Sequence, residues 1–169
     1  MRKIVVAWVV GAVLGSFFSG RALGQSQATV LGVRLEFLGG PCLELVLGKR
    51  LSDDVVLRAA VGGFPGVILR VTADVSFASP AKGVTYGGGI GYNRYYRGRA
   101  TGRGLVELHG GLGYRWWRAP GSALDLTGGL VWIPLGLNPW YRQLFREKTR
   151  GRVPLPIVSY LSVEFDREL

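Results

Sequence analysis

Along this 169-residue chain, eight successive stretches alternate between apolar positions and polar or glycine positions. In the first, Leu31, Val33, Leu35 and Phe37 share one phase and Gly32, Arg34 and Glu36 the other. A β-strand turns successive side chains to opposite faces, so a period of two predicts one oily face and one polar face. The predicted strands cover about 29–38, 42–49, 54–63, 67–77, 83–93, 104–116, 123–133 and 155–165. The fourth alternates most cleanly, with Leu69, Val71, Ala73, Val75 and Phe77 against Arg70, Thr72, Asp74 and Ser76. Helix-period patterning is almost absent. Eight such strands joined by turns predict an all-β fold, an eight-stranded antiparallel up-and-down barrel.

Alternation alone does not say which face is inside. A soluble barrel of the lipocalin or avidin kind puts its oily face inward, and a soluble periplasmic carrier of that type is one alternative. Two features favour the opposite arrangement. The polar phase carries glycines at 32, 48, 62, 87, 89, 91, 111, 113 and 129. A water-facing exterior has no need of them, whereas a narrow eight-stranded lumen cannot hold long side chains at every level. The aromatics of the oily phase also fall at two levels. With the N-terminus on the periplasmic side, Phe37, Phe64, Tyr92 and Trp132 lie at the outer level. Phe77, Tyr86, Tyr114, Trp116 and Phe165 lie at the inner one. Two aromatic girdles flanking an aliphatic band are what two membrane–water interfaces select. The expectation is a transmembrane barrel with a polar lumen.

In strand number, dyad pattern, girdles and final strand, residues 25–169 resemble the small eight-stranded outer-membrane barrels of the OmpA-transmembrane-domain and OmpX type. That resemblance implies insertion through the last strand, which in such proteins ends on an aromatic residue read by the barrel-insertion machinery. Ile157, Leu161, Val163 and Phe165 match the pattern, while Asp166-Arg167-Glu168-Leu169 follow the aromatic and depart from it. Residues 1–24 read as a cleaved signal peptide. Arg2 and Lys3 precede an apolar run from Ile4 to Phe18, and Ala22-Leu23-Gly24 gives the small-x-small pattern. The run is too short for a membrane-spanning helix, which needs roughly 20 residues. The expected location is therefore the outer membrane, with 25–169 a single barrel domain.

The polar phase also carries charge on nearly every strand: Arg34, Glu36, Glu44, Arg58, Arg70, Asp74, Glu107, Arg115, Asp125 and Glu164. In a narrow lumen these must pair, because an isolated buried charge is very costly. Counting back from a turn near 120 places Arg115 opposite Asp125. A turn near 51 to 52 places Glu44 beside Arg58, and Glu36 and Glu44 fall close together across the first hairpin. The expected lumen is closed by this ion-pair network and is not a pore. His109, the single histidine, points inward by phase. Outer-membrane lipid-modifying enzymes, deacylases and acyltransferases, use a histidine with a serine on the lipid-facing surface. Here Gly111 stands where the deacylase pattern has that serine. An enzyme using His109 is thus the rival to a non-enzymatic barrel. Cys42 is alone, so no internal disulfide forms, and no cofactor or metal motif is present.

The formal charge of +10 falls to +7 once the signal peptide is removed. The excess sits in two segments, expected to be outer loops at 94–103 and 134–152. Arg94, Arg97, Arg99 and Arg103 lie in one, and Arg142, Arg146, Lys148, Arg150 and Arg152 in the other. The second loop predicts a short helix capped by Asn138 with Pro139 in its first turn, and with Trp140 anchored among headgroups. A structural or surface-interaction role follows, through contact with anionic lipid, polysaccharide or an acidic partner. Nucleic acid is not an expected partner of an exported barrel.

Overall fold

The computed structural model describes residues 28–38, 40–52, 54–78, 83–98, 100–119, 121–141, 143 and 157–169. The expected signal peptide at 1–24 lies outside them, as do Arg99, Arg142, Arg146, Lys148, Arg150 and Arg152.

Eight strands follow in chain order: β1 (Thr29–Phe37), β2 (Pro41–Arg50), β3 (Val55–Phe64), β4 (Ile68–Ala78), β5 (Val84–Tyr95), β6 (Gly104–Ala119), β7 (Ser122–Trp132) and β8 (Ile157–Glu168). Each pairs antiparallel with the next, and β1 pairs with β8, so the sheet closes into a barrel. Closure pairs every strand on both sides, the condition for backbone to cross hydrocarbon. The strands hold 9 to 16 residues, and a tilted strand needs roughly 9–11 to span a membrane.

The oily face points outward. Leu31, Leu45, Leu69, Leu108 and Leu126 are all exposed, Leu45 at 63 %, whereas Val46 beside it is 1 % exposed. A barrel with an oily interior would show the reverse, so the lipocalin-like alternative does not describe this chain. Phe77 stacks on Tyr86 and Tyr114 packs beside Trp116, with ring centroids 5.2 and 4.8 Å apart, at the terminal end, where β1 begins and β8 ends. Phe37, Phe64 and Trp132 are exposed near the opposite, outer end, with Tyr92 half-buried there.

Several strands run further than the alternation suggested, β5, β6 and β8 by two or three residues. β5 extends to Tyr95 and takes Arg94 into the sheet, out of the expected loop. β8 continues past Phe165 to Glu168 because Asp166, Arg167 and Glu168 keep pairing with Gly32, Leu31 and Val30 of β1. Short turns join the strands at the terminal end. One is the β6–β7 turn, where Gly121 takes the left-handed backbone (φ 75°) that glycine adopts without strain. β5 and β7 end, and β6 and β8 begin, at the outer end, so the two longer connections leave the barrel there.

Inside, side chains are unevenly distributed. Buried charged groups project inward from every strand but β5, and inward glycines of β5, β6 and β7 lie between them. A Cβ added at Gly111 or Gly129 would sit 2.6 Å from the Tyr160 side chain. These glycines leave the space that side chains of neighbouring strands fill.

Candidate functional site

Among the described residues, seven carboxylates and four guanidinium groups are buried in the lumen. They form one connected chain along the barrel because inward positions on neighbouring strands fall at matching heights. At the outer level Arg70 of β4 is the hub. Its Nη2 lies 2.5 Å from Glu107 Oε1 and its Nη1 lies 3.4 Å from Glu44 Oε1; Nη1 also donates to Glu36. Asn93 Nδ2 donates to Glu107 Oε2 at 2.7 Å.

At the middle level Arg34 donates to Glu164 Oε2 at 2.5 Å and to Asp74 Oδ2 at 2.9 Å, and it lies 3.5 Å from Glu44. Glu44 therefore bridges Arg34 and Arg70. At the terminal end, Arg58 Nε lies 2.7 Å from Glu164 Oε1 and Nη2 donates to Asp166 at 3.0 Å. Arg115 grips Asp125 through two bonds, from Nε to Oδ1 at 2.8 Å and from Nη2 to Oδ2 at 2.5 Å. The bidentate fork fits a carboxylate, and direct register pairing sets it up. Asp125 and Glu164 also face each other across β7 and β8. Like charges so placed repel, and Arg58, within 3.5 Å of both, lies between these acids and offsets that repulsion.

All ten lumen residues expected from the alternation lie in this network, with one partner misassigned. Glu44 is not beside Arg58: it pairs in register with Gly62, and Arg58 with Gly48. The turn between β2 and β3 is centred at residue 53, beyond the expected position, because β2 continues to Arg50. Sequence reasoning missed Asp166, which was taken as part of a tail. The phase of Ser162, Glu164 and Asp166 carries the signal, since the polar face of β8 continues through them.

His109 faces inward, and its Nε2 contacts Asp74. It lines a lumen cavity of about 70 Å³ together with Arg34, Arg58, Tyr160 and Glu164. That volume has room for about two waters. Gly110 and Gly111 follow His109, so the serine of the deacylase pattern does not stand two residues after it. Cys42 is buried and points into the lumen opposite Glu36.

The outer end of the lumen is apolar. Leu105, Val131 and Ile133 are at most 5 % exposed, and Leu38, Tyr95, Trp140, Tyr141, Val158 and Tyr160 pack against them. Two expectations are corrected here. Trp140 is not an interfacial anchor: its ring lies over the barrel mouth, and its Nε1 donates to Gly104 O at 2.7 Å. Asn138 does not spend its side chain on capping, although a helical turn does follow at 139–141. Its amide pairs with the Val106 backbone, at 2.8 Å to N–H and 2.7 Å to C=O. Burial pushes the Tyr141 hydroxyl pKa up.

Of the basic residues, Arg94, Arg97 and Arg103 are described and all are exposed. Arg94 is on the outward face of β5, between Tyr92 and Tyr96 of the same phase. The guanidinium of Arg103 lies over the Trp140 ring, 5.7 Å from its centroid.

No protein-family model and no curated protein matches the sequence. Among solved structures, the chain is similar to the N-terminal β-barrel domain of Pseudomonas aeruginosa OprF. The TM-score is 0.57 at 12% identity, over 83% of this chain and 99% of that one. The fold is that of an outer-membrane barrel. The de novo designed TMB2.3 is similar to the same degree, with a TM-score of 0.56 at 12% identity over 87% of this barrel and 98% of the design.

Proposed function

We propose that this outer-membrane barrel is non-enzymatic and that its outer basic rim engages anionic phosphate groups, foremost those of the surrounding lipid leaflet. The observation that carries this reading is the Tyr92–Arg94–Tyr96 column on the lipid-facing side of β5. Amphipathic rings sit at the membrane–water boundary. A guanidinium held between two of them is at headgroup height, where a phosphate oxygen can accept its charge-assisted hydrogen bonds. Arg97 and Arg103 extend the same sign of charge across the β5–β6 connection. The lumen supports the non-enzymatic part. His109 is turned away from lipid and held by Asp74 inside the lumen.

The test is a titration of the detergent-solubilised protein with a phosphorylated glycolipid and with its dephosphorylated counterpart. Wild type should prefer the phosphorylated form, with affinity falling as salt rises. Replacing Arg94, Arg97 and Arg103 together by Gln should remove that preference. Equal binding of both lipids by wild type would sink the proposal. An altered lipid chemistry after incubation, lost in His109→Ala, would instead favour the lipid-modifying rival.

A further inference from the structure

β6 is longer than its neighbour at the outer end. β7 ends at Trp132, which pairs with Leu108, while β6 continues outward through Val106 to Gly104. The N–H and C=O of Val106 that would meet a continuing β7 are therefore left without a strand partner. An unpaired backbone group facing an apolar mouth costs free energy comparable to a lost hydrogen bond. Asn138 fills that place. Its side-chain amide is the chemical equivalent of a peptide group, and it bonds both Val106 groups as a strand residue would. The second hydrogen of Asn138 Nδ2 goes to Pro134 O at 3.0 Å, so three of the amide's four hydrogen-bonding positions are used. The residue is 0 % exposed. Two residues on, Trp140 Nε1 bonds Gly104 O, the next carbonyl on the same edge of β6, and Arg103 stacks on the Trp140 ring.

We infer that residues 134–141 form a latch over the outer mouth of the barrel, fastened to the free edge of β6 by Asn138 and Trp140. Releasing it uncovers the upper lumen. The fastening is polar, from the side chains of Asn138 and Trp140 to backbone groups of β6, and the cluster beneath adds apolar and ring contacts. Such a segment opens locally without unfolding the barrel, because the ladder hydrogen bonds between strands do not pass through it. Cys42 reports on the opening. It is the only cysteine, 5 % exposed, and it points into the lumen from near the first outer hairpin, next to Pro41, which pairs with Phe37.

The experiment measures the alkylation rate of Cys42 by N-ethylmaleimide in the full barrel refolded in lipid, against the urea-unfolded chain. Folding of each variant is established by the gel-mobility shift on heating. Wild type should react far more slowly than the unfolded chain. Asn138→Ala should raise the folded-state rate by roughly tenfold or more, since it removes three hydrogen bonds. Trp140→Phe keeps the ring and loses one donor, so it should give a smaller increase, and it serves alone if Asn138→Ala fails to fold. Arg115→Met, which weakens the opposite end of the lumen, should leave Cys42 protected. An unchanged rate in the latch variants would overturn the inference. So would an equal rise in Arg115→Met, or a wild-type rate matching the unfolded chain.

Discussion

Arg70→Met removes the hub of the outer ion-pair level while keeping a long, flexible side chain in the same space. Arg70 is 1 % exposed, and among the described residues no other guanidinium pairs with Glu36 or Glu107. After the substitution, Glu44 retains Arg34 at 3.5 Å. Glu107 retains the Asn93 amide. Glu36 retains neither. Breaking one buried ion pair from one side costs about 3–5 kcal/mol, because the remaining charge stays buried without its counter-ion. Here two carboxylates lose their guanidinium, so the loss belongs at the upper end of that range, roughly three to four decades in the unfolding constant. The assay is urea unfolding of the barrel in phospholipid vesicles, followed by tryptophan fluorescence, with reversibility established from both directions. Adding Glu36→Gln and Glu107→Gln to Arg70→Met should recover a large part of the loss, since the amides keep hydrogen-bonding capacity without charge. A cost below about 1 kcal/mol for Arg70→Met would refute the reasoning, because it would place this level in water. Failure of the amides to recover stability would show that packing, and not charge, is what Arg70 supplies.

Neighbouring glycines should respond in opposite ways. Gly129→Ala drives a methyl to 2.6 Å from the Tyr160 ring and should cost about 1–3 kcal/mol. Gly128→Ala meets nothing nearer than 3.9 Å on the lipid side and should be close to neutral, and the same unfolding assay reads both. Leu45→Arg places a charge on the exposed face midway along β2 and should cost about 2–4 kcal/mol in a bilayer. The same change in a barrel standing in water would cost almost nothing.

Much of the fold was legible because period two is a local signal, and eight clean instances of it leave few architectures. It also gave the face of every lumen charge but Asp166, which lies beyond the expected end of β8. What it did not give was height. Arg115 and Asp125 could be matched because a short turn separates them, so counting back from it reaches the correct pair. Glu44 and Arg58 could not, because the turn between β2 and β3 is centred at 53, beyond the expected 51 to 52, which shifts every pairing across it. Contacts across the lumen, such as Arg70 with Glu36, depend on the closure of β1 on β8 and on strand tilt, which no local pattern encodes. Asn138 followed by Pro139 has the form of a helix start, and its actual partner, the Val106 backbone, is distant in sequence. The apolar mouth did leave a trace. Leu105, Val131 and Val158 are oily residues on the polar phase, all near strand ends that meet at one level.

The account rests on lipid lying outside the oily face and an ion-paired lumen inside. Spin labels placed one at a time from 69 to 77 along β4, in a Cys42→Ser background reconstituted in bilayers, test this most directly. Collision rates with oxygen, which partitions into lipid, should alternate with a period of two. They should be high at 69, 71, 73, 75 and 77, and low at 70, 72, 74 and 76, while a polar nickel reagent reaches neither set near the middle of the strand. An inverted phase, or no alternation at all, would contradict the account.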